Sequence, residues 1–181
     1  MQDKMNKQDL KLELLRAKKE TIDWLNSRPE DQFNEILVED KWPVSHHIYH
    51  LIKSTKGVSM GMGLNKLILR FKFGINNRDE STYSDLHKKY LLALDKLKGK
   101  PIPRSFESET GRVFKKVELI ERFEGEINAM VSVLDKWNEK QLSKYVLPHP
   151  VIGKLTIREF SYFTILHTYH HLDNLKKNYV R

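Results

Sequence analysis

Apolar residues recur along this chain at helical rather than strand spacing. Between Lys116 and Asn138, the residues Ile120, Phe123, Ile127, Met130, Leu134 and Trp137 follow one another at intervals of three and four, which predicts a helix presenting one apolar stripe to a core. Leu14, Ala17, Ile22 and Leu25 predict a first helix over residues 9–27, with Asn6 as its N-cap candidate and Arg28-Pro29 as its stop. A second helix is expected to open at Pro43, whose missing N–H is harmless in a first turn, and to end near Lys56, before Gly57. The last helix opens on Thr156 and Glu159, an S/T-x-x-E capping box, and runs to about Asn178.

Between the second and third of these lies a stretch of nearly 60 residues with a helical pattern of its own, Tyr83, Leu86, Tyr90, Leu91, Leu94 and Leu97. A short helix around Leu64 to Phe73 precedes it, while Pro101-Ile102-Pro103 and Glu107 to Gly111 read as loop. Strand signals are weak throughout. Short loops join antiparallel helices and a long return joins parallel ones. Four principal helices with one long, partly helical crossover therefore predict an all-α four-helix bundle in up-down-down-up order. A length of 181 residues fits one domain spanning residues 1–181.

Composition narrows the chemistry. With no cysteine, disulfides, thiolate metal sites and a cysteine nucleophile are excluded, leaving histidine and carboxylate as the available ligands. No stretch approaches the roughly 18 apolar residues needed to span a bilayer, so a soluble, cytoplasmic protein with no membrane partner is expected. The net charge of +8 is concentrated in residues 41–115, which hold 15 basic and 6 acidic side chains. Lys66, Arg70, Lys72, Arg78, Lys88, Lys89, Lys96, Lys98 and Lys100 carry much of it. These residues form no basic block or reader motif and are interleaved with acids, so a solvated surface is expected rather than a nucleic-acid partner.

The eight histidines include one pair at helical spacing on the last helix, His167 and His171. A helix turns about 100° per residue, so these two stack on one face, continuing the stripe of Phe160 and Phe163. Two imidazoles on an apolar face need partners, and a shared cation would satisfy both. His170 points about 100° away from His171 and is expected at the surface or supporting a ligand. A third ligand must come from elsewhere. His46 and His50 are four apart, whereas His47 lies nearest the stripe of Val44, Ile48 and Leu51, so periodicity weakly favours His47 and leaves the choice open. His87 is expected to be solvated, and His149, before Pro150, to be a loop residue.

Trp42 lies eight residues before His50-Leu51, the terminal helix bears His167-Thr168-Tyr169-His170-His171, and the segment His149-Pro150-Val151-Ile152-Gly153-Lys154-Leu155-Thr156 precedes it. In this combination the chain resembles the DinB/YfiT-like superfamily of metal-binding four-helix bundles, in particular its DinB_2-like and DUF1569-like branches. The resemblance covers roughly residues 5–56 and 116–179. It implies that His50, His167 and His171 are the metal ligands, in place of the His47 that periodicity favours. Pro43 stands where Ser or Thr would commonly cap the helix, and His46 replaces a frequent acidic residue; neither change removes a ligand.

An open three-histidine site implies a divalent cofactor, zinc or nickel, acting as a Lewis acid that lowers the pKa of water toward about 7 or stabilises a thiolate. The resemblance implies a small-molecule substrate and a metal-dependent enzyme, either a transferase using a low-molecular-weight thiol or a hydrolase. Relatives that pair make a homodimer an expectation. The alternative from another class is a non-enzymatic helical binding protein whose basic middle segment contacts an anionic partner.

Overall fold

The computed structural model describes residues 4–39, 41–98 and 112–179. These residues are mostly helical: α1 (Lys7–Asn26), α2 (Val44–Gly63), α3 (Lys66–Phe73), α4 (Tyr83–Asp95), α5 (Lys116–Leu134), α6 (Glu139–Lys144) and α7 (Ile157–Asn178). A 3-10 turn at Asp31–Phe33 and an antiparallel hairpin, β1 (Val146–His149) with β2 (Gly153–Thr156), complete them. The loop expectations at Pro101 to Pro103 and Glu107 to Gly111 fall outside the described residues. Among those residues, no helix is long and apolar enough to cross a membrane.

Helix starts follow from side chains that satisfy otherwise orphaned backbone donors. The Asn6 side chain accepts from the Gln8 and Asp9 amides, and the Asp9 carboxylate accepts from Asn6 N–H. Thr156 and Glu159 exchange the same pair of bonds at the head of α7. Because Thr156 is also the last residue of β2, the hairpin runs into α7 without an intervening linker.

Helix α7 is the central element. It contacts α1, α2, α4, α6 and both strands, and most of its residues are buried. Burial all round is tolerated because its hydroxyls are satisfied within the helix: Ser161, Thr164 and Thr168 donate to the carbonyls of Ile157, Phe160 and Thr164. Helix α5 packs on α1 and α2, and α1 also packs on α7. The fully buried Leu14, Ile48, Phe123, Ile127, Met130 and Ile165 lie in the shared core.

Several elements depart from expectation. Helix α2 does not stop at Gly57 but runs to Gly63. An interior glycine costs a helix only about 1 kcal/mol, and the buried Val58 and Met62 beyond it continue the core-facing side. A methyl group at Gly61 would sit 3.0 Å from Leu147 Cδ1, so this glycine lets the hairpin lie directly on α2. Pro43 is the N-cap rather than a first-turn residue. Helix α5 ends at Leu134, and Trp137 is buried from the turn after it. Leu91 is exposed and Leu97 lies beyond α4, so the α4 stripe reduces to Leu86 and Tyr90 with partial cover of Tyr83 and Leu94. The weak strand signal conceals a hairpin, because each strand is only four residues long and one contains Pro148.

The basic middle segment is in part a structural device. Arg78 grips Glu159, whose side chain is wholly buried, through two bonds of 2.7 and 2.6 Å, and the amides of Ser81 and Thr156 donate to the same carboxylate. Burial alone would raise the Glu159 carboxyl, but Arg78 and these amides outweigh it and hold it below the ordinary carboxylate range. Beside this pair, Arg158 bridges Glu80 and Glu139.

Candidate metal centre

Two helices deliver six of the eight histidines to one region: α2 carries His46, His47 and His50, and α7 carries His167, His170 and His171. Ligand-capable nitrogens of His50, His167 and His171 all lie within 4.8 Å of one another. His167 Nε2 is 3.1 Å from His50 Nε2 and 3.0 Å from His171 Nε2. His167 and His171 are buried, and His50 is half-buried at the edge.

These contacts fit a shared cation better than they fit one another. An imidazole Nε2 has either one N–H or one in-plane lone pair, and so makes one well-directed hydrogen bond. His167 Nε2 faces two nitrogens at once. Tetrahedral coordination with metal–nitrogen bonds of about 2.0–2.1 Å separates neighbouring ligand atoms by about 3.3 Å, close to both observed distances. Burial keeps the rings neutral, as ligation requires: it lowers His50 to about 4, with Lys53 adding to the effect, and drives His167 and His171 well below the ordinary value.

His47, which periodicity singles out, stands one step behind. Its Nδ1 lies 2.7 Å from His171 Nδ1, and burial lowers its pKa to about 4. A neutral His171 ring ligating through Nε2 would carry its single proton on Nδ1, where His47 Nδ1 could accept it. His47 is thereby placed to hold the tautomer that ligation through His171 Nε2 requires. Trp42 covers the group, with its ring centroid 5.4 Å from His50, 5.7 Å from His47 and 6.4 Å from His171, nearly parallel to the last. Tyr179 Oη donates to the Trp42 carbonyl, tying the end of α7 to this cover.

The remaining histidines separate by environment. His46 Nε2 donates to the Arg112 carbonyl at 3.1 Å and faces away from the three. His170 is partly buried, pairs with Asn174 at 3.0 Å and packs on Tyr90, consistent with a flanking role. His87 is exposed, as expected. His149 is not a free loop residue: it ends β1, is buried, and its Nδ1 accepts from the Val151 and Ile152 amides. Its position before proline hid this, and only the pattern His-Pro-x-x-Gly at a tight turn could have signalled it.

A cavity of about 420 Å3 opens on the His50 side of the group, between α2, the end of α3, the hairpin and the first half of α7. Its size falls within the usual range for small-molecule sites. Phe163 links it to the histidines, stacking on His167 at 5.0 Å and meeting the His149 ring edge-on at 4.3 Å.

A family model described as the DinB superfamily matches residues 13–174, nearly the whole chain. No curated protein matches the sequence.

Proposed function

The chain belongs to the DinB superfamily, and we propose that it is a metal-dependent enzyme in which His50, His167 and His171 hold one divalent cation, zinc or nickel, with one coordination position open to the neighbouring cavity. The observation that carries this reading is the double approach of His50 and His171 to one nitrogen of His167, a contact set that neutral imidazoles cannot satisfy among themselves. When bound, the cation supplies a Lewis acid able to activate a thiol or a water. The protein's own contributions are positional. Three neutral rings bind, His47 orients His171, Trp42 excludes solvent from one side, and the cavity holds the second reactant beside His50.

Two chemistries share these requirements: transfer of a low-molecular-weight thiol to an electrophile, which we place first, and hydrolysis. The architecture we assign is one domain in which α1, α2, α5 and α7 form a four-helix bundle with up-down-down-up order. The pairwise packing of α1 on α5 and α7, and of α2 on α5 and α7, supports it.

Metal analysis of untagged protein tests the centre. Wild type is expected to carry about one equivalent of zinc or nickel, the number one set of three ligands holds, and His167→Ala and His171→Ala are expected to carry almost none. An equivalent that persists in both variants overturns the assignment. A screen of thiol consumption against ester and amide hydrolysis then separates the two reactions.

A further inference from the structure

The cavity beside His50 has walls with a chemical preference of their own. Val58, Leu64, Phe73, Leu147, Phe160 and Phe163 supply apolar cover. His50, Lys53, Ser54 and His149 are the polar residues among its walls. Lys53 lies at the exposed side, its ammonium 5.5 Å from the Tyr49 ring centroid and in no ion pair among the described residues. His149 comes from the end of β1. Because its Nδ1 accepts from Val151 N at 3.2 Å and Ile152 N at 3.1 Å, that nitrogen carries no proton, and the proton of the neutral ring resides on Nε2. The turn of the hairpin therefore fixes His149 as a hydrogen-bond donor, and packing against Phe163 holds its ring in place.

An apolar chamber with one unpaired cation and one fixed neutral donor suits an amphiphilic anion better than a neutral or cationic molecule. We propose that this cavity binds a small carboxylate with an aromatic or branched aliphatic body, its oxygens taking the Lys53 ammonium and the His149 Nε2–H and its body lying on Phe160 and Phe163. As the substrate pocket of a metal-dependent enzyme the cavity rests on the reading above, whereas its occupant is read from its own walls. His149 and Lys53 are then specificity determinants, and Phe163 separates the bound carboxylate from His167 by the thickness of one ring.

The test is titration of 3-phenylpropionate, followed by ligand-observed NMR, into metal-free and zinc-loaded full-length protein. Binding is expected in both forms with a Kd under about 1 mM, and 3-phenylpropionamide is expected to bind more weakly. His149→Asn keeps an oxygen to accept from Val151 and Ile152 but is too short to place a donor at the Nε2 position, and should weaken binding by about tenfold. Lys53→Met should weaken it by about threefold, the effect of a partly solvated charge. A side chain at Gly57 meets no atom within 4 Å at its Cβ, so Gly57→Phe can fill the chamber without disturbing α2, and should abolish probe binding while zinc content stays at the wild-type value. Equal binding by wild type, His149→Asn and Gly57→Phe, or equal binding of acid and amide, overturns the proposal. Wild-type protein that holds zinc but binds no probe also overturns it. Probe binding without any zinc affinity in wild type supports the cavity's ligand class and overturns the metal centre instead.

Discussion

Helix α7 carries two buried polar groups that solve the same problem in opposite ways. At its first turn Glu159 is saturated: a two-pronged guanidinium and two amides occupy its oxygens. Two turns further on, His167 and His171 meet other histidines, and His167 Nε2 faces two nitrogens with only one N–H or one lone pair to offer. Burial of either kind costs free energy unless a partner compensates. The first group is closed by the protein and serves the fold. The second leaves one contact unmatched, which supports the proposed cation site.

The sharpest way to break this contrast is to remove a partner from the closed end. Arg78→Ala leaves the wholly buried Glu159 carboxylate with only its amide donors and is expected to cost about 3 kcal/mol, toward the low end for breaking a buried pair because Arg78 is itself partly solvated. Urea denaturation measures it, and zinc content per folded molecule should not change. A loss under about 0.5 kcal/mol, as for an ordinary surface substitution, would show that the closed end is not structural.

Acid separates the two ends by pH. The folded-state values of His47, His50 and His149 are lowered to about 4 from an ordinary 6.5, so the unfolded chain binds more protons between those limits. Stability of the metal-free protein is therefore complete above about pH 6.5 and falls as pH drops toward 4. Glu159 has the same sign of dependence in a lower range: its value is held below the carboxylate norm, so its contribution is complete above that norm and is lost only as pH falls under it. Thermal melts at pH 7, 5.5 and 4.5 should show most of the decline before the carboxylate titrates. A flat profile above pH 5 would erase the distinction.

The smallest expected effect lies behind the ligands. His47→Leu should lower zinc affinity by about 10-fold to 100-fold, the usual consequence of losing a ligand's supporting hydrogen bond, and His47→Gln, which retains an acceptor, should recover part of it. Competition with a chromophoric chelator measures both. An affinity equal to wild type in His47→Leu would make His47 mere packing.

How much of this was legible follows from how local each signal is. The head of α7 was readable because Thr156 and Glu159 satisfy each other three residues apart, and the His167/His171 pair because one helix fixes its geometry. The choice between His47 and His50 was not, since both lie on one turn of α2 and both approach His171; which one also reaches His167 depends on the rotation of α2 against α7. Family likeness pointed to His50, and it is His50 whose nitrogen approaches His167. Trp137 fits the α5 periodicity although it lies past the helix end, because the closing turn keeps it directed into the core. The hairpin and the role of His149 depended on pairing at a distance, between Val146 to His149 and Gly153 to Thr156, which no local window reveals in strands so short.

Trp42 gives the protein a built-in optical sensor. Its ring centroid lies 5.4 Å from that of His50 and 6.4 Å from that of His171, the rings whose protonation and ligation change, whereas Trp24 and Trp137 lie beside Arg28 and Lys66. An imidazolium quenches indole emission more strongly than a neutral imidazole does, and a zinc-bound ring cannot take up the proton. The intrinsic fluorescence of the unlabelled chain should therefore report occupancy of the centre and its titration in a single cuvette.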